Sequence, residues 1–300
     1  MSTDKSTAAG RYLIGGNVYE APPLAAGLHV VATPIGNLRD ITLRALETLA
    51  SADLVLCEDT RTSARLLDHY GIRTPRSPLH EHNERARIDA ILAELAQGRR
   101  IALISDAGTP LLSDPGFPLV RAAREAGLPV FAIPGPSALL AALAVAGLPT
   151  DAFTFVGFLP AKAGQRANAL RPLTVRPETL CFYESPRRLG ATLAALADAF
   201  GGSRDAAVAL ELTKRFERLH RGSLAELAAE FAEVETKGEA VILVAGAPDN
   251  APAEADWQAA LAEALETQPL RAAVDAVTAR FGLKRKEVYD AALALKSEKR

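Results

Sequence analysis

"RRIALISDAGTPLLSDPGFPLVRAAREAGLPVFAIPGPSALLAALAVAG", residues 99–147, decides how the chain is read. RIALI is an apolar run too short for a helix, so it reads as a strand. FPLVRAAREAG has helical spacing and ends in glycine, which suits the left-handed turn that closes a helix. LPVFAI is a second apolar strand, and PSALLAALAVAG an almost wholly apolar helix. Strands of Val, Ile and Leu without polar alternation, separated by helices, indicate a parallel sheet covered on both faces.

The same alternation runs outward. Upstream, LHVVAT and DLVLCE read as strands, and TLRALETLASA, TSARLLDHY and ERARIDAILAELAQG as helices, the last closed by Gly98. These define an N-terminal α/β domain over 28–148. At GLPTDAF the pattern restarts, with strands at FTFVGF, ETLCFYE, AAVALEL and AVILVAG. Helices fall at SPRRLGATLAALADAF and SLAELAAEFAEV, giving a second α/β domain over 149–246. APDNAPAEAD reads as a linker. DWQAALAEALE, PLRAAVDAVTARFG and KRKEVYDAALALK are three short helices of an appendage over 254–300. Residues 1–27 read as a partly disordered arm.

Composition narrows the function classes. The chain has 300 residues and a net charge of −2, so no global basic field marks a nucleic-acid binder, and an RNA partner needs a local patch. Cys57 and Cys181 each end an apolar run and read as reduced core thiols, with no zinc spacing around them. No apolar stretch reaches the roughly 18 residues of a membrane span, and the first residues lack a signal-peptide core, so a cytoplasmic location is expected. There is no GxGxxG and no GxxxxGK[ST], which argues against dinucleotide oxidoreductases and P-loop enzymes.

In open α/β sheets, ligands bind beyond the carboxyl ends of the strands. Five loops fall there: TPIGN (33–37), EDTR (58–61), SDAGTPLLSDPG (105–116), PGPSA (134–138) and YESPRR (183–188). A metal reading would gather Asp106, Asp114 and Asp59. The prolines and glycines of the loop favour a different role, with Asp106 and Asp114 capping turns and the helix at Phe117, so no metal is expected. Pro136 removes an N–H at the start of the apolar helix, which suits an uncharged or zwitterionic ligand better than a triphosphate.

TPIGNLRDITLRALETLASADLVLCEDTR, ISDAGTPLLSDPG, IPGPSALLAALAVAGLP and FYESPRRL stand in this order. Together they resemble the tetrapyrrole methylase superfamily, and within it the ribosomal RNA small subunit methyltransferase I family. The resemblance covers about residues 28–246, and the C-terminal helices are similar to that family's helix-turn-helix-like appendage. It implies two α/β domains holding S-adenosylmethionine (SAM) in the cleft between them, in a homodimer. It also implies 2′-O-methylation of a cytidine, cytidine-1402, in 16S ribosomal RNA of the small subunit. By position, the cofactor residues it implies are Ile35, Asp106, Gly108, Thr109, Pro110, Leu112, Ser137, Ala138, Tyr183, Leu212 and Ala240. Thr109 stands where many superfamily members carry Asp, and Asp106 is a candidate for that role.

A ribose hydroxyl is a poor nucleophile, so a base is sought. The candidates are Glu58, Asp59, His80, His82, Glu84 and Lys214. Each has a plainer reading: a helix cap for Glu58 and Asp59, a solvated loop for HEHNE, an ion pair for Lys214. Phosphate contacts are assigned to Arg39, Arg61, Lys162, Arg166, Arg187, Arg188, Lys214 and Arg215, and in the appendage to Lys284, Arg285 and Lys286. Two other functions stay open: methylation of a tetrapyrrole or other small molecule, and a non-catalytic RNA-binding role in ribosome assembly.

Overall fold

The computed structural model describes residues 10–232, 238–248, 254–281 and 285–298. Residues 10–20, expected within a disordered arm, form an antiparallel hairpin of β1 (Arg11–Ile14) and β2 (Asn17–Glu20). Residues 1–9 of that arm lie outside the described residues. The hairpin is anchored by two means. The Leu13 N–H donates to the Tyr70 carbonyl at 2.7 Å, and the Tyr12 ring is buried in the core with Leu46, Leu49 and Tyr70. Each strand of the hairpin is four residues long, too short for a period to show.

The first sheet is built from β3 (Gly27–Val31), β4 (Leu54–Cys57), β5 (Arg76–Pro78), β6 (Arg100–Leu103) and β7 (Val130–Ile133). Its order is β5-β4-β6-β3-β7 and every pairing is parallel, as the apolar runs require. The covering helices are α1 (Leu43–Ser51), α2 (Thr60–His69), α3 (Glu84–Ala96) and α4 (Phe117–Glu125), and α5 (Ala138–Ala146) follows the last strand. The three-residue edge strand RSP was not anticipated, because its polar ends carry no hydrophobic pattern.

The second sheet comprises β8 (Phe153–Phe158), β9 (Thr179–Glu184), β10 (Asp205–Leu210), β11 (Arg218–Ser223) and β12 (Ala240–Val244), in the order β11-β10-β12-β9-β8. It is mixed: β8 and β9 are parallel, and the remaining pairs antiparallel. Helices α6 (Ala163–Leu170), α7 (Leu189–Phe200) and α8 (Leu224–Glu230) accompany it. α8 starts with a capping box in which Ser223 and Glu226 satisfy each other's backbone N–H. Strand β11 (RLHRGS) and helix α6 (AGQRANAL) were missed by the sequence reading. Both are surface elements whose polar residues hide the period.

Residues up to Gly246 make one unit that contains both sheets. Helix α5 joins them: Leu139, Ala142, Leu143 and Ala146 pack with Cys181, Ala207, Ala209, Val241 and Leu243. That accounts for one apolar face of α5, which is buried against the second sheet, while Leu140 and Val145 on its other face are exposed. Both cysteines are free and buried, and burial pushes the Cys181 thiol up to about 12. From Ala247 a second unit is described by α9 (Glu254–Thr267), α10 (Leu270–Phe281) and α11 (Arg285–Glu298), around a core of Trp257, Leu261, Val274, Val277 and Val288.

Replacing Tyr12 by Ala removes the ring that seats the hairpin. A loss of about 3 kcal/mol in denaturant unfolding is expected, the usual cost of deleting a buried aromatic. An unchanged midpoint would mean that the hairpin is not part of the folded core.

Candidate active site

Four loops meet at the carboxyl edge of the first sheet, and hydrogen bonds tie them together. The Thr33 N–H donates to the Gly108 carbonyl at 2.8 Å, and the Gly108 N–H returns to the Thr33 carbonyl at 2.9 Å. The Thr109 hydroxyl donates to the Pro136 carbonyl at 3.2 Å. The Asp59 N–H donates to Asp106 Oδ1 at 3.1 Å. The loops after β3, β4, β6 and β7 therefore hold one another. The 104–116 loop is also under backbone strain. Leu111 and Ser113, neither of them glycine, have φ of +75° and +65°, a conformation that persists only where surrounding contacts enforce it.

A cleft of about 380 Å³ separates this edge from the second sheet. That is within the size range of small-molecule sites. Of the residues implied by the resemblance, Ile35, Asp106, Gly108, Thr109, Leu112, Ala138, Tyr183 and Ala240 line it. Three do not. Leu212 is buried with Ile35 and Val241 behind the wall. Pro110 is buried beneath the loop. Ser137 stands at the N-cap position of α5 without a side-chain capping bond and hydrogen-bonds the Tyr183 side chain, whose hydroxyl is pushed above its ordinary value by burial. Pro136 falls one residue before that cap, outside the helix itself. The sequence reading missed Asp114, Phe158, Ser185 and Glu239, all of which line the cleft. Gly157, in a left-handed conformation, brings the second half against the loop, for a Cβ there would stand 2.9 Å from the Ser113 hydroxyl.

The candidate bases separate on inspection. Glu84 is not available: buried, it accepts from the N–H groups of Gly116 (3.3 Å) and Leu119 (3.1 Å) and so caps α4. That is the capping role expected of Asp114, whose carboxylate is thereby left to the cleft. Asp59 caps α2 through the Arg61 N–H and pairs with the Arg61 guanidinium, which pulls its carboxyl down to about 2. So acidic a group is a weak base. Lys214 Nζ contacts Glu211 at 2.9 Å and Glu239 at 3.4 Å. Burial pulls that amine down, but the two carboxylates outweigh it and hold it protonated, which excludes it as a resting base. Its stem crosses Gly36, where a Cβ would stand 2.5 Å from Lys214 Cγ. His80 and His82 lie with ring centroids 6.0 Å apart, and neither lines the cleft. Burial, then the charges of Asp106 and Glu81, push the Glu58 carboxyl up, with His80 opposing.

The assigned cations also divide. Arg166 is buried and bonds the Ala161 carbonyl. Arg188 bonds the Leu159 carbonyl and the buried Glu184. These two, with the paired Lys214, are committed to the protein, whereas Arg61 pairs with Asp59 yet stays exposed. Arg39, Lys162, Arg187 and Arg215 are exposed. In the C-terminal unit Arg285 pairs with Asp275 at 2.8 Å, Lys286 is exposed, and Lys284 lies outside the described residues. Among the described residues no cluster of His, Cys, Asp and Glu has the arrangement of a metal site.

Residues 27–228 match the family described as Tetrapyrrole (Corrin/Porphyrin) Methylases, and residues 251–296 match the RsmI C-terminal HTH domain. A ribosomal RNA small subunit methyltransferase I from Mesorhizobium japonicum is 49% identical over 285 residues, 95% of this chain and 97% of that protein. The same-named protein of Escherichia coli O157:H7 is 45% identical over 271 residues, 89% of this chain and 94% of its own length. The chain belongs to the ribosomal RNA small subunit methyltransferase I family. Solved structures support the fold: the methyltransferase CobJ aligns with a TM-score of 0.57 at 22% identity, covering 74% of this chain and 95% of that one. Uroporphyrin-III C-methyl transferase from Thermus thermophilus, complexed with S-adenyl homocysteine, aligns with a TM-score of 0.50 at 21% identity, covering 73% and 97%.

Within this family member, Glu84→Ala leaves two buried N–H groups at the start of α4 without a partner. A loss of about 2 kcal/mol in unfolding free energy is expected. A loss under a few tenths would mean that water replaces the cap.

Proposed function

We propose that this chain is a SAM-dependent methyltransferase acting on the 2′-hydroxyl of a cytidine in 16S ribosomal RNA of the small subunit. The observation that carries the reading is the extent of similarity. Relatives named for ribosomal RNA methylation match over 89% and 95% of the chain, a span that takes in the cleft and the C-terminal helices. The solved tetrapyrrole methylases align with 73–74% of it, a weaker case for a small-molecule acceptor.

The cleft suits the cofactor. SAM is cationic at its sulfur and zwitterionic at its tail, and Asp106 presents a carboxylate while Gly108 offers bare backbone. When bound, SAM supplies an electrophilic methyl group. The residues of this chain hold and orient the reactants: Ile35, Leu112 and Tyr183 give apolar walls, and the tied loops keep the polar groups in place. Such positioning supplies much of the acceleration of a direct displacement. Phe158 is 57% exposed at the cleft, 5.7 Å from Tyr183, and offers a face for an unstacked base. The exposed Lys162, Arg187, Arg39 and Arg215 supply phosphate contacts.

The reading extends to a homodimer in the cytoplasm. Leu140 and Val145 expose apolar surface on α5, and β7 ends the first sheet with Phe131 partly exposed. A second copy of the chain covers a face of that kind. Among the described residues no helix is long and apolar enough to cross a membrane.

Purified protein is expected to transfer labelled methyl from SAM to small ribosomal subunits that lack their own modification. Label in a uroporphyrinogen or corrinoid instead would favour the small-molecule reading, and binding to subunits without turnover the assembly reading. Gly108→Val is expected to abolish SAM binding by calorimetry. Its φ of +78° penalises any side chain, and the added methyls extend from a Cβ already 3.4 Å from Ile35. Unchanged affinity would show that SAM binds elsewhere.

A further inference from the structure

We propose that Asp114 is the catalytic base that accepts the proton of the ribose hydroxyl. The assignment rests on the ribose-methylation reading above. Its ground is the placement of this carboxylate. Asp114 lines the cleft from the first half, and its charge acts on the Tyr183 hydroxyl of the second half. Structural work that would otherwise occupy it is done elsewhere, because Glu84 caps α4. Ser113 before it is held at a positive φ and Pro115 follows, so its backbone direction is fixed by strain and by a ring.

The surroundings set its basicity. The charged groups acting on Asp114 are Glu58, after β4, and Asp106, on its own loop; both are acids. Burial, and then those two charges, push its carboxyl up to about 6 against a hydrogen bond from Ser105. A base with that value is ionised at neutral pH yet takes a proton far more readily than an ordinary carboxylate, which is what general base catalysis near pH 7 needs. Asp59, on the neighbouring loop after β4 and held near 2, has the opposite tuning.

The step balances as follows. The 2′-oxygen forms the new bond to the methyl carbon. The carbon–sulfur bond breaks with its electron pair kept by sulfur, which becomes a neutral thioether. The hydroxyl proton passes to an Asp114 carboxylate oxygen and leaves to solvent after turnover.

The test uses full-length protein with Asp114→Asn and Glu58→Gln. Asp114→Asn is expected to lower kcat about 100-fold or more, with the Kd for SAM by calorimetry changed less than threefold. The folded-state value lies above the ordinary one, so the native protein binds more protons between about 4 and 6, and ionising Asp114 destabilises it as pH rises through that window. Asp114→Asn is therefore expected to raise Tm at pH 8 and to lose the gain by pH 4, a readout independent of turnover. In Glu58→Gln, removing a facing charge is expected to move the acid limb of kcat to lower pH. Three results would overturn the assignment: Asp114→Asn turnover within threefold of the parent, loss of SAM affinity with saturated turnover intact, or an unmoved acid limb in Glu58→Gln. A parent protein inert on small subunits sinks the ribosomal reading and the assignment with it. An active parent with an equally active Asp114→Asn sinks the assignment alone.

Discussion

Two hydrogen bonds between Thr33 and Gly108 hold the site together. They close a bridge between the loops after β3 and β6, neighbouring strands at the middle of the first sheet. Parallel strands deliver their loops to one edge but do not tie those loops to each other. A bridge that uses backbone groups on both sides satisfies four polar groups of two buried residues. Gly108 is the residue that permits it. Its φ of +78° turns the chain so that its N–H and C=O both meet Thr33, and the same turn presents its bare α-carbon to the cleft. Support and binding surface are thus consequences of one backbone conformation.

From this bridge the strain in the loop becomes intelligible. Left-handed Leu111 and Ser113 cost free energy of order 1–3 kcal/mol each, and they lie between the bridge and the cap that Glu84 makes on α4. With both ends of the segment pinned, the intervening residues accept an unfavourable conformation. The second half presses on the same segment at Gly157. A loop so enclosed has little freedom to relax when a charge is placed in it, which is why Asp114 carries its raised value without moving toward a cation.

The architecture was legible because parallel strands are buried on both faces and read as plain apolar runs. LHVVAT, DLVLCE and RIALI gave away the first sheet, and four strands of the second were read the same way. Elements carried by single anchors were not legible: the hairpin seated by Tyr12, the edge strands RSP and RLHRGS, and α6. At the site the loops were identifiable, since the topology says where strand ends point. Most residues assigned to the cofactor do line the cleft. The individual carboxylates were not separable. Glu84 and Asp114 are both acids near a helix start in sequence, and which one caps α4 depends on a contact 32 residues distant. The cations failed for the same reason: Arg187 and Arg188 are neighbours in YESPRR, yet one is exposed and the other bonds the buried Glu184.

That division of cations answers an electrostatic difficulty. The proposed cofactor is a cation and the proposed acceptor a polyanion, so one uniform field cannot serve both. The chain as a whole is nearly neutral, at −2. Four acids, Asp106, Asp114, Glu184 and Glu239, line the cleft, where a charge acts over a few ångströms. The exposed Lys162 and Arg187 follow directly from cleft-lining segments at Phe158 and Pro186. Outside, salt screens charges beyond roughly 8 Å, so those cations attract phosphates at the surface without cancelling the carboxylates within. A wholly basic protein would bind RNA more strongly but would repel its own cofactor and lower the basicity of Asp114. The small net charge, with its cations in a local patch, is compatible with such a pair of ligands.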